Sequence, residues 1–185
     1  MKKEYRIKFQ KLRNNELPKV EELIIKRVGD FIHSKPNIKK KFIGIYWPLA
    51  GEIDLRILKT KELGIPLALP SANNLGILRY HPWGEKQLKK DFYGIPSPID
   101  EKILTPNQIS LLLVPAIAID QDGYRLGYGG GFFDRLRSDN EWKKITSLVV
   151  LPNICVSDTS LPKDTWDIPF DGWISEKGLF RTIKR

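Results

Sequence analysis

Residues Leu111–Val114 read LLLV and are followed at once by Pro115. Three other apolar runs have the same form, with a proline directly after the last apolar residue: FIGIYW at Phe42–Trp47, IPLAL at Ile65–Leu69 and LVVL at Leu148–Leu151. Runs that are apolar at every position are typical of strands covered on both faces of a parallel sheet. Because proline has no N–H to donate to a neighbouring strand, we expect the strands to end at Pro48, Pro70, Pro115 and Pro152.

Segments with helical periodicity alternate with these runs. The apolar residues of Pro18–His33 fall on one helix face, and Pro18 suits the first helical position. The pattern recurs over Ile53–Leu63, where Gly64 is the stop signal, and a third helix is predicted to run through Arg137. This alternation predicts an α/β fold, a single three-layer α/β/α domain over residues 1–185 with a mainly parallel central sheet.

Two further strands are predicted outside this alternation. A short one is expected at Ile77–His81, within the turn-rich segment Asn73–Pro98, and a last one at Gly172–Ser175. Ligands of open parallel sheets bind beyond the carboxyl ends of the strands. The loops Pro48–Glu52 and Ala116–Gly131 are therefore the first candidates for a binding site.

Composition limits the classes of function. The chain has 185 residues and is 41% hydrophobic, enough for a sizeable core. No apolar run approaches the roughly 20 residues of a membrane span, and no apolar signal-peptide segment is visible. A single cysteine, Cys155, excludes an internal disulfide. We expect a cytoplasmic monomer without a membrane partner.

The net charge of +9 is compatible with three interpretations. It suits a nucleic-acid surface, a lysine-rich solvated exterior, or a basic pocket for a small polyanion. The lysines are spread along the chain, without interleaved aromatics and without a zinc-finger or RNA-recognition signature. This distribution favours the solvated exterior, and no specific nucleic-acid partner is expected.

The stretch Gly123–Arg137, GYRLGYGGGFFDRLR, has glycines at positions 127, 129, 130 and 131. The spacing fits neither a Walker A loop nor the G-x-G-x-x-G dinucleotide motif. Glycines nevertheless let backbone N–H groups converge on an anion, and a helix that begins there adds the positive end of its dipole. Arg125 adds a positive charge, and Asp134 suits a magnesium ion on phosphate oxygens. A plain glycine turn with Asp134 as a helix-start carboxylate is the alternative, but Arg125 and Asp134 at this spacing favour anion binding.

Histidine and cysteine offer no catalytic constellation. His33, on a predicted helix, and His81, in a predicted loop, are too few and too separated for a dyad or a metal pair. Cys155 is interpreted as a buried packing residue rather than a nucleophile.

Residues 114–135, VPAIAIDQDGYRLGYGGGFFDR, resemble the signature region of the 5-formyltetrahydrofolate cyclo-ligases, also called methenyltetrahydrofolate synthetases. The R-L-G-x-G-x-G-x-x-D block is its specific part. The shorter blocks that extend the resemblance are KKEYR at Lys2–Arg6, IYWPLAGEID at Ile45–Asp54, DFYGIPSP at Asp91–Pro98 and LPKDTWDIPFDGWIS at Leu161–Ser175. The departures from the family pattern are Phe132 and Phe133 for tyrosines, Ser97 for glutamate, Ala116 for glycine and Ile119 for phenylalanine.

The resemblance implies ATP-dependent conversion of 5-formyltetrahydrofolate to 5,10-methenyltetrahydrofolate, with release of ADP and phosphate. ATP is then a co-substrate, Mg²⁺ is a cofactor, and a reduced folate is the second substrate. Basic residues near the cleft would also suit a folate that carries a polyglutamate tail. Such chemistry relies on positioning and charge neutralisation more than on a protein nucleophile. A basic nucleic-acid-binding module and a non-catalytic nucleotide-binding relative remain alternatives, because fold alone does not separate them.

The resemblance also implies roles for individual residues. Lys2 and Arg125 are the expected catalytic residues, and Asp134 and Asp167 the expected metal ligands. Contacts to ATP are expected from Lys2, Lys3, Arg6, Arg125, Leu126, Gly127, Tyr128, Gly129, Gly130, Gly131, Phe132 and Phe133. A contact to the folate is expected from Glu52, and Trp47, Tyr80 and Trp83 are added as folate contacts because aromatic side chains can stack on flat rings. The alternatives are a solvated helix face for Lys2 and Arg6, a helix-start charge for Glu52, core packing for the aromatics and a turn for Asp167.

Overall fold

A computed structural model describes residues 1–35, 37–59, 64 and 66–182. The α-helices are α1 (Lys2–His33), α2 (Phe132–Ser138) and α3 (Asn140–Lys143), and 3₁₀ helices cover Ile38–Lys40, Leu55–Lys59, Pro106–Gln108 and Asn153–Cys155. The strands are β1 (Phe42–Gly44), β2 (Leu67–Ala72), β3 (Leu78–Pro82), β4 (Lys89–Lys90), β5 (Pro96–Ser97), β6 (Ile109–Pro115), β7 (Ala118–Asp120), β8 (Arg125–Leu126), β9 (Ser147–Val150), β10 (Val156–Ser157), β11 (Gly172–Ser175) and β12 (Gly178–Arg181).

A seven-stranded sheet in the order β12-β11-β9-β6-β1-β2-β3 forms the centre of the protein. The five inner strands, from β11 to β2, are parallel to their neighbours, and the two edge strands are antiparallel. Two small sheets are added: β10-β7-β8 and the hairpin β4-β5. The α/β class with a mainly parallel central sheet is thereby confirmed.

The central strand β6 shows why its run is apolar at every position. Successive side chains of a strand point to opposite faces. Leu112 and Val114 belong to a core cluster that includes α2, whereas Leu111 and Leu113 belong to a second cluster that includes the C-terminal half of α1. Because helices cover both faces, neither face of β6 leaves room for a polar side chain.

The first helix is longer than the sequence pattern indicated. It begins at Lys2, so the prediction of Pro18 as the first helical residue is wrong: Pro18 lies inside α1. The buried positions of the first half are Phe9, Arg13 and Leu17, about one per helical turn. Because Arg13 is charged, the buried face of this half of the helix does not form a continuous apolar stripe, and the apolar pattern of the sequence did not predict a helix here. The placement of Lys2 and Arg6 one turn apart on a helix is confirmed.

The prolines do not all end strands. Pro70 lies inside β2 and pairs with Tyr80 of β3, so the prediction that it ends the strand is wrong. The carbonyl of Leu67 accepts from the N–H of Trp83 at 2.8 Å, and the alternation of antiparallel pairs then turns the nitrogen of Pro70 away from β3. On its other side β1 pairs only as far as Ala68, so Pro70 lies beyond the paired part of β1. Pro115 is the last residue of β6, whereas Pro48 and Pro152 lie in the loops beyond β1 and β9.

The remaining predictions have mixed outcomes. In the described part of the helix predicted at Ile53–Leu63, the structure has the 3₁₀ helix Leu55–Lys59, and positions 60–63 lie outside the described residues. The strand predicted at Ile77–His81 is displaced by one residue, as β3, and the strand Gly172–Ser175 is confirmed as β11. The edge strand β12 was not predicted. Within the described residues no helix combines the length and apolarity needed to cross a membrane.

We expect two Gly→Ala substitutions to have opposite effects on the free energy of unfolding. An added Cβ at Gly44 would lie 2.6 Å from Cδ2 of Leu112 and 2.8 Å from Cε1 of Tyr80, so Gly44→Ala should cost about 1–3 kcal/mol. Gly29 lies in α1 with no atom within 4 Å of an added Cβ, so Gly29→Ala should gain about 0.5–1 kcal/mol. Urea unfolding measures both values. Equal effects would show that space beside Gly44 is not limiting.

Candidate active site

A cavity of about 420 Å³ opens beyond the carboxyl ends of β1 and β6. Its lining comes from Lys2 and Arg6 of α1, from residues 46–52 after β1, from residues 125–134 and from residues 164–167. The edge of β2 and β3 and the hairpin β4-β5 complete it with Ala72, Leu78, Asp91, Tyr93 and Ile95. The two loops predicted as candidates for a binding site, Pro48–Glu52 and Ala116–Gly131, therefore both contribute to the same cavity.

The glycine loop, residues 127–131, depends on its glycines for backbone geometry and for close approach. Gly129 has φ +105° and Gly131 has φ +64°, where L-residues with side chains are strained. Gly131 is also the residue before α2. The carbonyl of Gly127 accepts from Nε of Arg6 at 2.8 Å, and an added Cβ at Gly127 would lie 2.8 Å from Nη1 of Arg125. The loop is therefore held between two arginines of the cavity wall.

Arg125 of β8 provides a buried positive charge. Its side chain is 9% exposed, Nη1 donates to the carbonyl of Pro115 at 3.0 Å, and Nη2 lies 3.9 Å from Oδ2 of Asp134. Its Nε is buried without a partner among the described residues. Burial lowers the pKa of Arg125, and the nearby carboxylates of Asp134, Glu52 and Asp167 counteract this effect. An arginine in this environment remains charged and retains unused donors.

A second buried guanidinium, that of Arg13 in α1, lies behind the glycine loop. Arg13 is 3% exposed, donates from Nη1 to the carbonyl of Ala116 at 3.1 Å, and donates from Nη2 to the hydroxyl of Tyr128 at 2.7 Å. Sequence reasoning missed it, since a single arginine in a charged helix carries no motif.

Glu52 is the buried carboxylate of the cavity. It is 8% exposed, its Oε2 accepts from the N–H of Leu49 at 2.8 Å, and its own N–H donates to the carbonyl of Leu49 at 3.0 Å. Burial raises the pKa of Glu52, although the bond from Leu49 and the charges of Arg13 and Arg125 act in the opposite direction. The short turn after β1 therefore holds one carboxylate oxygen and leaves the other for a ligand.

The four residues predicted to contact folate do not all reach the cavity. Glu52 and Trp47 line it, and the guanidinium of Arg56 lies 4.4 Å from the ring centroid of Trp47. Trp83 packs edge-on against Trp47 at 6.4 Å but is not part of the lining. Tyr80 is 0% exposed, in the core beneath Gly44, because the antiparallel pairing of β3 with β2 turns it inward. Burial raises the pKa of Tyr80.

At the mouth of the cavity Lys2 bridges two aspartates. Its Nζ lies 2.6 Å from Oδ2 of Asp164 and 2.8 Å from Oδ2 of Asp167, and the N–H of Asp164 donates to the same Asp167 oxygen at 2.8 Å. Burial lowers the pKa of Lys2, but the hydrogen bonds to both carboxylates outweigh it and the net shift is upward. Lys3 is exposed and is absent from the lining.

The predicted metal ligands Asp134 and Asp167 both line the cavity. Within the described residues no group of three or more histidine, cysteine or acidic side chains is arranged to hold a metal by itself. Mg²⁺ in nucleotide sites usually takes one or two carboxylates and completes its coordination with phosphates and water. Asp134, partly exposed beside Arg125, and Asp167, which holds Lys2, fit an ion that arrives with a phosphate substrate better than a preformed protein cage.

Several lining residues were assigned no role from the sequence, although some of them lie in the short blocks that extend the resemblance. Asp164 and Trp166 flank the predicted Asp167, and Tyr93 reaches the cavity from the hairpin β4-β5. The ring of Tyr93 packs edge-on against Phe132 at 5.1 Å, which joins the hairpin to the start of α2. The other lining residues that were not predicted are Tyr46, Leu49, Pro70, Ala72, Leu78, Asp91, Ile95 and Pro115.

The chain matches the 5-formyltetrahydrofolate cyclo-ligase family over residues 33–176. It is 30% identical to the 5-formyltetrahydrofolate cyclo-ligase of Escherichia coli over 141 residues, which cover 72% of this chain and 77% of the relative. It is 32% identical to the enzyme of the same name from Haemophilus influenzae over 139 residues, covering 70% and 72% of the two chains.

Two solved structures are similar over nearly the whole chain. The 5,10-methenyltetrahydrofolate synthetase of Aquifex aeolicus has a TM-score of 0.77 at 30% identity, covering 100% of this chain and 94% of that one. A 5,10-methenyltetrahydrofolate synthetase from Mycoplasma pneumoniae has a TM-score of 0.72 at 22% identity, covering 95% and 98%, which shows a shared fold.

Cys155 should be chemically inert in the folded protein. The side chain is fully buried, and burial raises the pKa of its thiol to about 12, so almost none of the reactive thiolate exists at neutral pH. We expect labelling by a thiol reagent such as Ellman's reagent to proceed only as fast as the protein opens, and at once in urea. Rapid labelling of folded protein at pH 8 would contradict the burial of Cys155.

Proposed function

Because the chain belongs to the 5-formyltetrahydrofolate cyclo-ligase family, we propose that it converts 5-formyltetrahydrofolate to 5,10-methenyltetrahydrofolate in a reaction coupled to conversion of ATP to ADP and phosphate. The observation that carries this proposal is the make-up of one cavity. One part is formed by the glycine loop and three cations, and another by the buried carboxylate of Glu52 beside Trp47. Two chemically different substrates thus have adjoining subsites.

The glycine loop is the proposed site of the ATP triphosphate. Phosphate oxygens accept hydrogen bonds from backbone N–H groups, which glycines leave accessible. Arg6, fixed by the carbonyl of Gly127, and Arg125, with a buried donor still unused, add charge on either side of the loop. Lys2 adds a third cation at the mouth of the cavity.

The segment after β1 is the proposed site of the folate ring system. A buried carboxylate can accept hydrogen bonds from the N–H groups of a pterin-type ring, and Glu52 has one oxygen not engaged by Leu49. Trp47 offers an aromatic surface beside it. Arg56, which is paired with Asp54 and lies against Trp47, adds a basic side chain near this end that suits the acidic tail of the folate, including polyglutamylated forms.

The reaction is proposed to begin with attack of the formyl oxygen on the γ-phosphorus of ATP, as the bond to the β,γ-bridging oxygen breaks and ADP departs. The neighbouring folate nitrogen then attacks the activated formyl carbon and loses its proton. This attack closes the ring, and phosphate then departs with the former formyl oxygen as the C–O bond breaks, which leaves the C=N bond of the methenyl group. Phosphoryl transfer of this kind is accelerated mainly by positioning and charge neutralisation.

Arg125 has the position required for charge neutralisation. Burial lowers the pKa of Arg125, and the charges of Asp134 at the proposed nucleotide end and Glu52 at the proposed folate end counteract this, so both carboxylates lie near its guanidinium. A desolvated arginine there stabilises negative charge as it develops on the transferring phosphoryl group. Mg²⁺, for which Asp134 and Asp167 are the proposed ligands, would supply further neutralisation of phosphate charge.

The direct test is an assay with purified protein, ATP, Mg²⁺ and 5-formyltetrahydrofolate, followed by the ultraviolet absorption of the methenyl product. We expect the product to form only when both substrates are present, and to diminish when the metal is chelated. Absence of product from protein shown by circular dichroism to be folded would remove the catalytic proposal.

Substitutions at the two ends of the cavity should separate the two substrates. Glu52→Gln keeps the shape of the side chain but loses its charge, so it should raise the folate KM or lower kcat, with the ATP KM changed only a few-fold. Asp134→Asn should instead shift the Mg²⁺ and ATP dependence and leave the folate KM nearly unchanged. Steady-state kinetics with each substrate varied in turn distinguish these outcomes. Equal damage to both KM values in both variants would show that the subsites are not separate.

A matched pair of glycines should separate ligand binding from backbone strain. Gly129 has φ +105° and an added Cβ there would lie 3.4 Å from Nη2 of Arg6, in the proposed phosphate space. Gly178, the first residue of β12, has φ +130° and no atom within 4 Å of an added Cβ. Calorimetric titration with ATP should show a loss of about tenfold or more in affinity for Gly129→Ala, equivalent to about 1.4 kcal/mol. Gly178→Ala should lose stability only, and wild-type affinity in Gly129→Ala would place the phosphates elsewhere.

A further inference from the structure

Arg13 is a buried charge that stability alone does not explain. It is 3% exposed, and no carboxylate among the described residues forms an ion pair with it. Its Nε is buried without a hydrogen-bond partner. Removing an unpaired guanidinium from water costs several kcal/mol, so an apolar side chain at this position of α1 would be expected to serve the core better.

The contacts of Arg13 join three parts of the cavity wall. Nη2 donates to the hydroxyl of Tyr128, whose ring lies on the glycine loop and lines the cavity. Nη1 donates to the carbonyl of Ala116, directly after β6. The same Nη2 would lie 3.1 Å from a Cβ added at Gly51, the residue that precedes Glu52. One side chain of α1 is therefore packed against both the glycine loop and the Glu52 turn.

We propose that Arg13 is a positioning residue for the reaction: its guanidinium fixes the glycine loop, through Tyr128, relative to Glu52, and places a positive charge behind the Glu52 carboxylate. Arg13 does not line the cavity and acts through these two groups. The inference rests on the proposed function in one respect, the assignment of Glu52 to the folate and of the glycine loop to ATP.

The charge of Arg13 has a definite consequence for Glu52. The groups that face Glu52 are Arg13 from α1, Arg125 from β8, Tyr46 from the segment after β1 and Tyr128 from the glycine loop. Burial raises the pKa of Glu52, and the two guanidinium groups limit the rise. Without Arg13 the pKa rises further, and the ionised carboxylate is then lost at a higher pH as the solution is acidified.

The hydrogen bond to Tyr128 has a separate consequence. Tyr128→Phe removes the hydroxyl that Arg13 holds and leaves every formal charge near Glu52 in place. Arg13→Lys keeps the charge but replaces the planar guanidinium, which donates from two nitrogens, by a single ammonium group. The ammonium cannot bond to Tyr128 and Ala116 with the same geometry. Both variants should therefore loosen the glycine loop without shifting the titration of Glu52.

The experiment compares Arg13→Met, Arg13→Lys and Tyr128→Phe with Arg27→Met, which removes an exposed arginine from the same helix. The first readout is the pH dependence of kcat/KM for each substrate. The second is the pKa of Glu52 from carboxyl ¹³C NMR titration, which requires no activity. Arg13→Met should raise the pKa of Glu52 and move the acidic limb of the folate profile upward by roughly 1 pH unit.

Arg13→Lys and Tyr128→Phe should keep the acidic limb in place and raise the ATP KM several-fold, while Arg27→Met changes neither readout. If Arg13→Met fails to fold, the ATP KM values of Arg13→Lys and Tyr128→Phe still decide the positioning role, and wild-type values in both would overturn it.

A Glu52 pKa that is the same in Arg13→Met and Arg27→Met would likewise overturn the inference. An inactive wild-type protein would refute the proposed function, and the NMR titration would still decide the effect of Arg13 on Glu52.

Discussion

Two buried guanidinium groups hold consecutive carbonyls at the carboxyl end of the central strand. Arg125 donates to Pro115 and Arg13 donates to Ala116, from β8 and α1 respectively. These carbonyls lie where the chain leaves a parallel sheet, the place at which such sheets bind ligands. The bonds attach the glycine loop and the first helix to the rigid core, and the cavity between them has its shape because of this attachment.

The same arrangement sets the electrostatics of the cavity. Arg125 forms a long ion pair with Asp134, with Nη2 3.9 Å from Oδ2, and no ion pair of Arg13 is found among the described residues. Both guanidinium charges also act on Glu52: burial raises its pKa, and the two charges limit the rise. The fixed guanidinium groups beside the glycine loop favour an anionic group placed against that loop, and the low dielectric of a buried site strengthens this preference. Phosphoryl transfer requires such an environment, in which the charges are positioned before the substrate arrives.

The sequence predicted β1, β2, β6 and β9 because these inner strands are covered by the core, which makes their sequences mostly apolar. It predicted the glycine loop because backbone geometry there admits few residues other than glycine. It failed where the deciding contact is distant in sequence: Tyr80 packs in the core against Gly44 of β1, and Arg13 meets Tyr128 across 115 positions. A buried arginine also conceals an apolar helix stripe, which is why α1 was expected to begin sixteen residues too late, at Pro18.

The proposed reaction requires the formyl oxygen of the folate to reach the γ-phosphate of ATP beside Arg125. 5-Formyltetrahydrofolate labelled with ¹⁸O in the formyl group tests this requirement when the phosphate released in the presence of ATP and Mg²⁺ is analysed by mass spectrometry. Phosphate that carries one labelled oxygen for each methenyl product formed is the expected result. Methenyl product accompanied by unlabelled phosphate would show that the oxygen leaves by another route, and would contradict the proposed chemistry of the cavity.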